Sequence, residues 1–260
     1  MIELSESQVE DLRQLLQLCA ELDAEIVIIG AIAYQIHFPE DMRHTGDIDS
    51  AVALDLDDFE SLTRSLTQAG WSQKESREHR WRAANGTLLD IIPAGQTLRE
   101  ARQITWPQTE FTMSLVGFDH VFSDAQTFTL AEGLTVRVIP PVVLMLLKIV
   151  AFMDDHHRRQ KDLSDIRALM SRYEADSDRL FSETAAHEGL DFSLANSFLL
   201  GADMNGICSE EERDVVRRFV AELRDESKPA WMAFVKAAAG SLERNEHTAP
   251  GSAQDLRGLI

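Results

Sequence analysis

The pattern of apolar and polar positions divides the chain into a first half of mixed strands and helices and a second half that is helical. Ser5 and Gln8 predict a capping box, and the apolar residues that follow, Cys19 among them, recur at helical spacing as one buried stripe. A short β-rich run at residues 25–29 ends at Gly30. Residues 31–38 then fit a short helix, because Pro39 stops it. The beginning of the chain therefore predicts a helix, a strand and a second helix, with the turn from strand to helix at Gly30.

A hairpin is the clearest feature of the next segment. Asn85 and Gly86 suit a two-residue type I′ turn between two runs of β-forming residues. A helix is predicted from residue 57 to Gly70, whereas residues 99–125 show no clear period. The strands that the pattern predicts in this half are residues 25–29, 48–54, 77–84, 87–92, 127–130 and 134–139. Together these segments predict a mixed sheet with flanking helices.

The character of the sequence changes at Pro140. The helices predicted beyond it are residues 142–152, 163–172, 210–224 and 229–239. Asp203 and Asn205 beside Gly206 indicate a turn, and the polar residues 245–260 indicate a loose tail. The pattern predicts an α+β fold class, with a sheet-containing domain at residues 1–139 and a helical domain at residues 140–260.

Composition and charge indicate where the protein is expected to act and what it is expected to bind. No apolar run is long enough to span a membrane, and the first residues lack the basic and apolar regions of a signal peptide. The cysteines are Cys19 and Cys208, so a disulfide framework is not expected, and a cytoplasmic protein is predicted. The 44 acidic and 25 basic residues give a formal net charge of −19, which works against non-specific binding to nucleic acid.

Asp47 and Asp49 are the first candidates for chemistry. Side chains alternate between the two faces of a strand, so these carboxylates point the same way while Ile48 points into the core. Neighbouring carboxylates repel each other unless a cation lies between them, and Mg²⁺ prefers such oxygen ligands. The pair predicts a Mg²⁺ site, and the alternative is two solvated acids at the start of a strand.

The surroundings of this pair favour metal binding. The turn at Gly30 leads into a helix whose free backbone N–H groups suit a phosphate. A third acid, Asp90, lies within the apolar residues 88–92, where a carboxylate needs a partner or a metal. Three carboxylates on neighbouring strands beside a phosphate-binding turn predict a two-metal site for phosphoryl transfer.

A second group of charged residues lies in the helical half. Lys148, Asp155, Arg159 and Asp162 fall on one stripe if the run is a single helix. If a loop at residues 154–160 breaks the helix, Lys148 and Asp162 can still face the same cleft. Lys148 would bind the phosphates of a nucleoside triphosphate (NTP), with Asp162 or Asp165 holding it in place. The alternative is a solvated face with charged pairs one turn apart.

Two basic segments stand out against the acidic whole. Residues 137–172 contain seven Lys or Arg against four Asp or Glu. The other segment, in the hairpin strand, comprises Lys74, Arg77, His79, Arg80 and Arg82. Both are expected to attract the triphosphate and an anionic acceptor such as an RNA end, and ordinary surface charge is the alternative. For an RNA acceptor, the three arginines of the hairpin are expected to contact phosphates.

These motifs resemble a known fold and, more narrowly, a known family. A resemblance to the polymerase-β-like nucleotidyltransferase fold rests on Gly30-Ala31-Ile32-Ala33, Arg43-x-Thr45-x-Asp47-x-Asp49 and Asp90. A narrower resemblance, to the AbiEii/AbiGii-type nucleotidyltransferases, rests on Lys148, Ala151, Arg158-Arg159 and Lys161-Asp162-x-x-Asp165. The latter are the toxins of abortive-infection toxin–antitoxin systems. The resemblance covers residues 24–172.

The resemblance implies a Mg²⁺-dependent enzyme that transfers a nucleoside monophosphate (NMP) from an NTP to an acceptor hydroxyl. It implies a polymerase-β-like domain followed by a helical domain. The implied catalytic residues are Asp47, Asp49, Asp90 and Lys148, of which the three aspartates bind the metal. The implied nucleotide-binding residues are Gly30, Ala31, Arg43, Thr45, Ser50, Lys148, Asp162 and Asp165.

The sequence departs from the family pattern at two points. Ala31 stands where the family usually has a second glycine, and a small residue there should still let a phosphate approach. The serine that often precedes the acids has no direct counterpart, so Thr45 or Ser50 would take its role.

The acceptor and the partners stay open at the level of sequence. The resemblance to toxins implies an RNA end, such as that of tRNA, or a protein hydroxyl, together with an antitoxin protein as a partner. The strong negative charge favours a cationic small molecule, such as an aminoglycoside. A non-catalytic binding module that keeps the fold is the alternative outside the enzymes, and the intact Asp47 and Asp49 argue against it.

Overall fold

A computed structural model describes residues 4–40, 46–184, 187 and 189–242 of the chain. The chain divides into two compact units, Met1–Leu144 and Met145–Ile260. The first unit contains the sheet and the second is helical, which confirms the predicted α+β class. The domain boundary predicted between residues 139 and 140 stays a prediction.

The first unit contains nine strands among the residues that are described. They are β1 (Ile26–Ile29), β2 (Asp47–Val52), β3 (Ser72–Lys74), β4 (Arg77–Arg82), β5 (Leu88–Pro93), β6 (Gln103–Thr105), β7 (Thr112–Ser114), β8 (Gln126–Ala131) and β9 (Leu134–Val138). Its helices are α1 (Glu6–Glu21), α2 (Gly30–His37), α3 (Leu56–Gln68), α4 (Gln96–Glu100) and α5 (Phe118–Ser123), and the division between the units falls within α6 (Pro141–Asp154).

Seven of the strands form one mixed sheet in the order β3-β4-β5-β2-β1-β9-β8. The pairs β2–β5 and β1–β9 are parallel, and the other pairs are antiparallel. The short strands β6 and β7 form a separate hairpin within the region whose sequence shows no period. Because each has only three residues, neither strand is long enough to display an alternation.

The core of the first unit follows the apolar pattern. All four residues of β1 are buried, as expected for a strand covered on both faces. Leu12, Leu15 and Cys19 form the buried stripe of α1, and the predicted capping box at Ser5 is present. The interpretation of Cys19 as a core residue is therefore confirmed.

The hairpin between β4 and β5 has a different turn from the one predicted. Ala83 donates from its backbone N to the oxygen of Thr87 at 2.8 Å, so residues 84–86 form the loop and the two-residue type I′ turn is wrong. Gly86 has a φ of 96° and closes a turn onto the carbonyl of Ala83. This arrangement is the three-residue hairpin loop with a left-handed glycine.

Asp11, on α1, fixes this loop from outside the hairpin. Its side chain is fully buried, and its carboxylate accepts from Asn85 N at 3.1 Å, Asn85 Nδ2 at 2.9 Å and Thr87 N at 3.3 Å. A buried carboxylate is costly unless hydrogen bonds satisfy it, and here three donors do so. The first helix therefore sets the register of a hairpin 74 residues further along the chain.

Asp11→Ala is expected to lower the free energy of unfolding of the protein by about 3 kcal/mol. The reason is that the backbone N–H groups of Asn85 and Thr87 lose their acceptor, and Thr87 is buried. Chemical denaturation measures the change, and Glu10→Ala is the matched control, because the side chain of Glu10 is exposed and pairs at the surface with Arg13. A loss no larger than that of the control would contradict the role given to Asp11.

The second unit consists of helices in its described residues. After α6 they are α7 (Gln160–Arg172), α8 (Arg179–Thr184), α9 (Ala195–Ile207), α10 (Glu210–Arg224) and α11 (Pro229–Leu242), with a 3-10 turn at Phe192–Leu194. In the part of the chain that is described, no helix is long and apolar enough to cross a membrane. The predicted tail at residues 245–260 lies outside the described residues.

The turn predicted at Asp203 and Asn205 is wrong, because both residues lie within α9. The helix is held by tertiary contacts rather than by local preference: Leu199 and Met204 are buried, and Asp203 accepts from Tyr173 Oη and from both terminal nitrogens of Arg179. Burial and ion pairing thus outweigh the turn-forming tendency of Asn and Gly.

Candidate active site

Two of the three predicted acids, Asp49 and Asp90, lie in one row across the centre of the first unit's sheet, and Asp47 lies two residues before Asp49 on the same strand. Asp49 on β2 pairs with Ile29 on one side and with Asp90 on the other. Asp90 on β5 in turn pairs with Arg80 on β4. The row brings the end of β1, where Gly30 begins α2, next to the three charged residues.

Burial alternates over the first four residues of β2, where one face of the strand is more covered than the other. Asp47 and Asp49 are half-buried, whereas Ile48 and Ser50 are fully buried. The Ser50 hydroxyl donates to the backbone oxygen of Asp90 at 3.3 Å. Ser50 therefore points to the opposite face from the two aspartates, because one step along a strand reverses the side-chain direction. Its role as a nucleotide-binding residue stays a prediction, which this direction does not favour.

Gly30 allows the close approach of α2 to the acids. Its φ is 67°, in the left-handed region that favours glycine, and a Cβ at this position would lie 2.1 Å from Oδ2 and 2.8 Å from Cβ of Asp49. No side chain fits in this space. Ala31, which follows, is half-buried in the first turn of the helix, so the backbone at the N-terminus of α2 lies directly beside the carboxylate of Asp49.

The sequence predicts that Arg80 contacts RNA phosphates, whereas in the structure its side chain binds two acids of the candidate site. It donates from Nε to Asp90 Oδ1 at 2.6 Å, and from Nη2 to Asp90 Oδ2 at 2.6 Å and Asp47 Oδ2 at 2.8 Å. The hydrogen bonds to Asp90, together with the charges of Asp90, Asp47 and Asp49, raise the pKa of Arg80 despite its partial burial. These contacts follow from the register of the hairpin, which places Arg80 opposite Asp90. Because they occupy the guanidinium, an RNA phosphate would have to compete with Asp90 and Asp47 for it.

The donor types at this row fit a divalent cation of the Mg²⁺ kind. Carboxylate oxygens are what Mg²⁺ prefers, and a cationic group already lies between Asp47 and Asp90 in the form of the Arg80 guanidinium. Within the described residues, no group of three His, Cys, Asp or Glu side chains is arranged to hold a metal ion as it stands. The carboxylate oxygens of the site therefore suit Mg²⁺ in type, and in this structure the Arg80 guanidinium contacts Asp47 and Asp90.

The residues of the second predicted cluster contact one another within the second unit. Lys148 Nζ, on α6, donates to Asp162 Oδ1 at 2.8 Å and to Asp165 Oδ2 at 2.7 Å. Asp162 is fully buried on α7, and its other oxygen has an ion pair with Arg159 at 3.5 Å but no hydrogen bond. Burial lowers the pKa of Lys148, but the charges of Asp162 and Asp165 outweigh it, so the net shift is upward and the lysine stays charged.

The remaining predicted residues are distributed as follows. Arg43 and Thr45 lie outside the described residues. In the basic segment 137–172, Arg137 binds Glu25 and the carbonyls of Phe122 and Ala125. This arginine therefore tethers chain segments of the first unit and is not a freely exposed cation.

A carboxylate row beside a glycine turn defines a site suited to a cation and to phosphates. A comparison with protein families adds the class: residues 13–237 match the model described as nucleotidyl transferase AbiEii toxin, type IV toxin–antitoxin system. The chain belongs to this family of nucleotidyltransferases. No curated protein sequence matches the chain significantly.

Several solved structures resemble the chain. The complex of ANT(2")-Ia with adenylyl-2"-tobramycin is 16% identical, with a TM-score of 0.39, over 62% of this chain and 86% of that one. An antigenic nucleotidyltransferase-like protein from Paracoccidioides brasiliensis is 18% identical, with a TM-score of 0.43, over 78% and 93%. A tRNA-processing enzyme in an apo form is 14% identical, with a TM-score of 0.36, over 94% of this chain and 59% of that one. At these values the likenesses define neither the reaction nor the acceptor.

Gly30→Ala is expected to reduce nucleotidyl transfer at least about a hundredfold, because the new methyl group displaces the Asp49 carboxylate. It should also lower the free energy of unfolding by about 1–3 kcal/mol, since alanine is strained at this φ. Gly133→Ala is a matched control: its φ is 68°, and nothing lies within 4 Å of the added Cβ. Steady-state rates and denaturation of both variants check this, and equal losses of activity in the two would contradict the steric role of Gly30.

Proposed function

We propose that the protein transfers an NMP from an NTP to an acceptor hydroxyl, with Mg²⁺ held by Asp47, Asp49 and Asp90. The observation that carries the proposal is the row of Asp49 and Asp90 beside Gly30, whose missing side chain leaves the N-terminus of α2 next to a carboxylate. A phosphate bound by that N-terminus would lie beside the metal ligands. Membership of the nucleotidyl transferase family supports the same reaction.

Each group of residues in the site has its own proposed role. The free N–H groups at the start of α2, at Gly30 and Ala31, would bind phosphate oxygens. The aspartates would orient the cation, and Mg²⁺ supplies positive charge for the phosphates and lowers the pKa of the acceptor hydroxyl. Arg43 and Thr45 stay proposed nucleotide ligands.

The reaction proposed is an in-line displacement. The oxygen of the acceptor hydroxyl forms a bond to the α-phosphorus of the NTP and loses its proton. The bond from the α-phosphorus to the bridging oxygen breaks, and pyrophosphate leaves. Phosphoryl chemistry of this type depends on positioning and on charge stabilisation, which are what a rigid row of carboxylates in a central sheet provides.

Lys148, Asp162 and Asp165 are proposed to serve the nucleotide as well. The lysine is held charged by two carboxylates, so its position is fixed before any ligand arrives. A fixed ammonium group neutralises phosphate charge without the entropy cost of ordering a free lysine side chain.

For the acceptor we propose an RNA end or a protein hydroxyl. The family is described as the toxin of a type IV toxin–antitoxin system, and this description supports a cellular macromolecule as the acceptor. The same description supports an antitoxin protein as a partner. Of the hairpin arginines, Arg77 and Arg82 are exposed, so they are the ones in reach of an anionic acceptor.

A cationic small molecule is the second candidate acceptor. The observation that favours it is the net charge of −19, which attracts cations and repels nucleic acid at long range. For this acceptor, the hairpin arginines are irrelevant to binding, so Arg77→Ala and Arg82→Ala should leave the acceptor KM and its salt dependence unchanged. For RNA, each lost phosphate contact should raise the KM and flatten its dependence on salt.

The experiment uses each NTP in two labelled forms, with the label on the α- or the γ-phosphate. Incubation with total RNA, with cell protein and with an aminoglycoside panel should transfer the α-label to one class of acceptor and leave the γ-label in pyrophosphate. Transfer of the γ-label would indicate a kinase instead. NTP binding without transfer to any acceptor would favour the non-catalytic binding module.

A further inference from the structure

Arg80 already places a positive charge at the acids of the proposed metal site. It lies opposite Asp90 in the antiparallel pair β4–β5, and its side chain is only 19% exposed. Its fork binds both oxygens of Asp90, and one of the same nitrogens also reaches Asp47. Three of the four carboxylate oxygens of these two aspartates are thus taken by one guanidinium.

These contacts use the same lone pairs that a metal would use. A divalent cation needs carboxylate oxygens turned towards a single point, whereas Asp47 and Asp90 are turned towards the guanidinium. An arginine cannot lose its charge at physiological pH, so it leaves the acids only by moving its side chain. Proton release is therefore not a route to an open site.

We propose that Arg80 is the resident counter-ion of the site and that a divalent cation binds Asp47 and Asp90 by displacing its guanidinium. This inference rests on the proposed function, because it concerns the same carboxylates. It makes Arg80 a positioning residue: it holds the acids together in the metal-free protein, and the cost of moving it lowers the affinity for the cation. Without it, three acids would repel one another across β2 and β5.

The test measures cation binding and not turnover. Full-length protein is stripped of metal with EDTA, and Mn²⁺ is the probe, since the paramagnetic resonance signal of free Mn²⁺ falls as the ion binds. Arg80→Gln is expected to bind Mn²⁺ about tenfold or more tightly than the wild type, because the competing charge is gone. Arg82→Gln is the matched control on the same strand, since the Arg82 guanidinium reaches the carbonyl of Gly86, and it should bind as the wild type does.

The outcomes separate this inference from the proposed function. Measurable but equal Mn²⁺ affinity in the wild type and Arg80→Gln overturns the exchange and leaves the proposed function standing. Absence of Mn²⁺ binding in every variant overturns both. A further change, Asp47→Asn in the Arg80→Gln background, should weaken binding at least about tenfold, and unchanged binding there shows that the ion is elsewhere and overturns the exchange.

Thermal unfolding shows whether each variant is folded. In EDTA, Arg80→Gln is expected to have a lower Tm than the wild type, and Mn²⁺ should raise its Tm by more than it raises that of the wild type. If Arg80→Gln does not fold, Arg80→Met takes its place, because methionine also removes the competing charge and keeps a long side chain on the strand. Unchanged Mn²⁺ affinity in a folded Arg80→Met variant overturns the proposal.

Discussion

Asp49→Asn is expected to reduce nucleotidyl transfer by about a thousandfold or more, while the protein keeps its fold. Asparagine has the same shape as aspartate but carries no charge, so the proposed metal loses a ligand and the phosphates lose their counter-charge. Asp49 lies in the middle of the row, between the N-terminus of α2 and Asp90, so its loss acts on both.

The measurement is the rate of α-label transfer at saturating NTP and Mg²⁺, with the fold checked by circular dichroism. The free energy of unfolding should change by less than about 1 kcal/mol, because one of several mutually repelling charges is removed. Asp58→Asn is the control for the change of charge alone, since Asp58 is exposed on α3. Wild-type turnover in a folded Asp49→Asn protein would sink the assignment of the active site.

Lys148→Met is expected to lower the free energy of unfolding by about 3–5 kcal/mol. Methionine fills a similar volume but leaves the fully buried carboxylate of Asp162 with only the longer ion pair to Arg159. Transfer should also fall, with a higher KM for the NTP, if the ammonium serves the triphosphate. Denaturation and steady-state kinetics on the same preparation measure the two effects.

Lys161→Met is the matched control, because this lysine lies in α7 beside Asp162 in sequence but its side chain is exposed. Adding Asp162→Asn to Lys148→Met should restore part of the stability, since the unpaired buried charge is gone. That double variant separates the two roles: recovered stability without recovered activity supports a role at the nucleotide. Unchanged NTP affinity and rate in Lys148→Met would remove the lysine from the proposed site.

Much of the first unit could be predicted because its signals are local. The burial of β1, the capping box at Ser5 and the turn at Gly30 each depend on a few neighbouring residues. The common face of Asp47 and Asp49 follows from the period of a strand. For Lys148, the sequence predicts Asp162 or Asp165 as the partner, and both carboxylates bind it. The single helix is wrong, because α6 ends at Asp154 and α7 begins at Gln160, so a contact between two helices brings these charges together.

The role of Arg80 could not be predicted, because it depends on a register that the hairpin sequence does not determine. With the two-residue turn, Arg80 would face Ile91, whereas in the observed register it faces Asp90. This shift of one residue in the register results from the three-residue loop, which hydrogen bonds to Asp11 on α1 stabilise. A contact so distant in sequence leaves no periodic signal. The hint in the sequence is an acid at position 11 on the apolar face of a predicted helix, and the structure buries this acid.

The order of the strands along the chain also bears on protein synthesis. β1 gains its neighbour β2 soon after it is made, but its other neighbour, β9, follows only at residues 134–138. At ~5–20 residues per second, the ribosome needs roughly 4–16 seconds to make the intervening segment. During that time the apolar residues Ile26–Ile29 are an open sheet edge, which can pair with the same edge of another nascent chain. Rapid expression from many ribosomes should therefore yield aggregates seeded at β1, and co-expressed chaperones that bind extended apolar segments should suppress them.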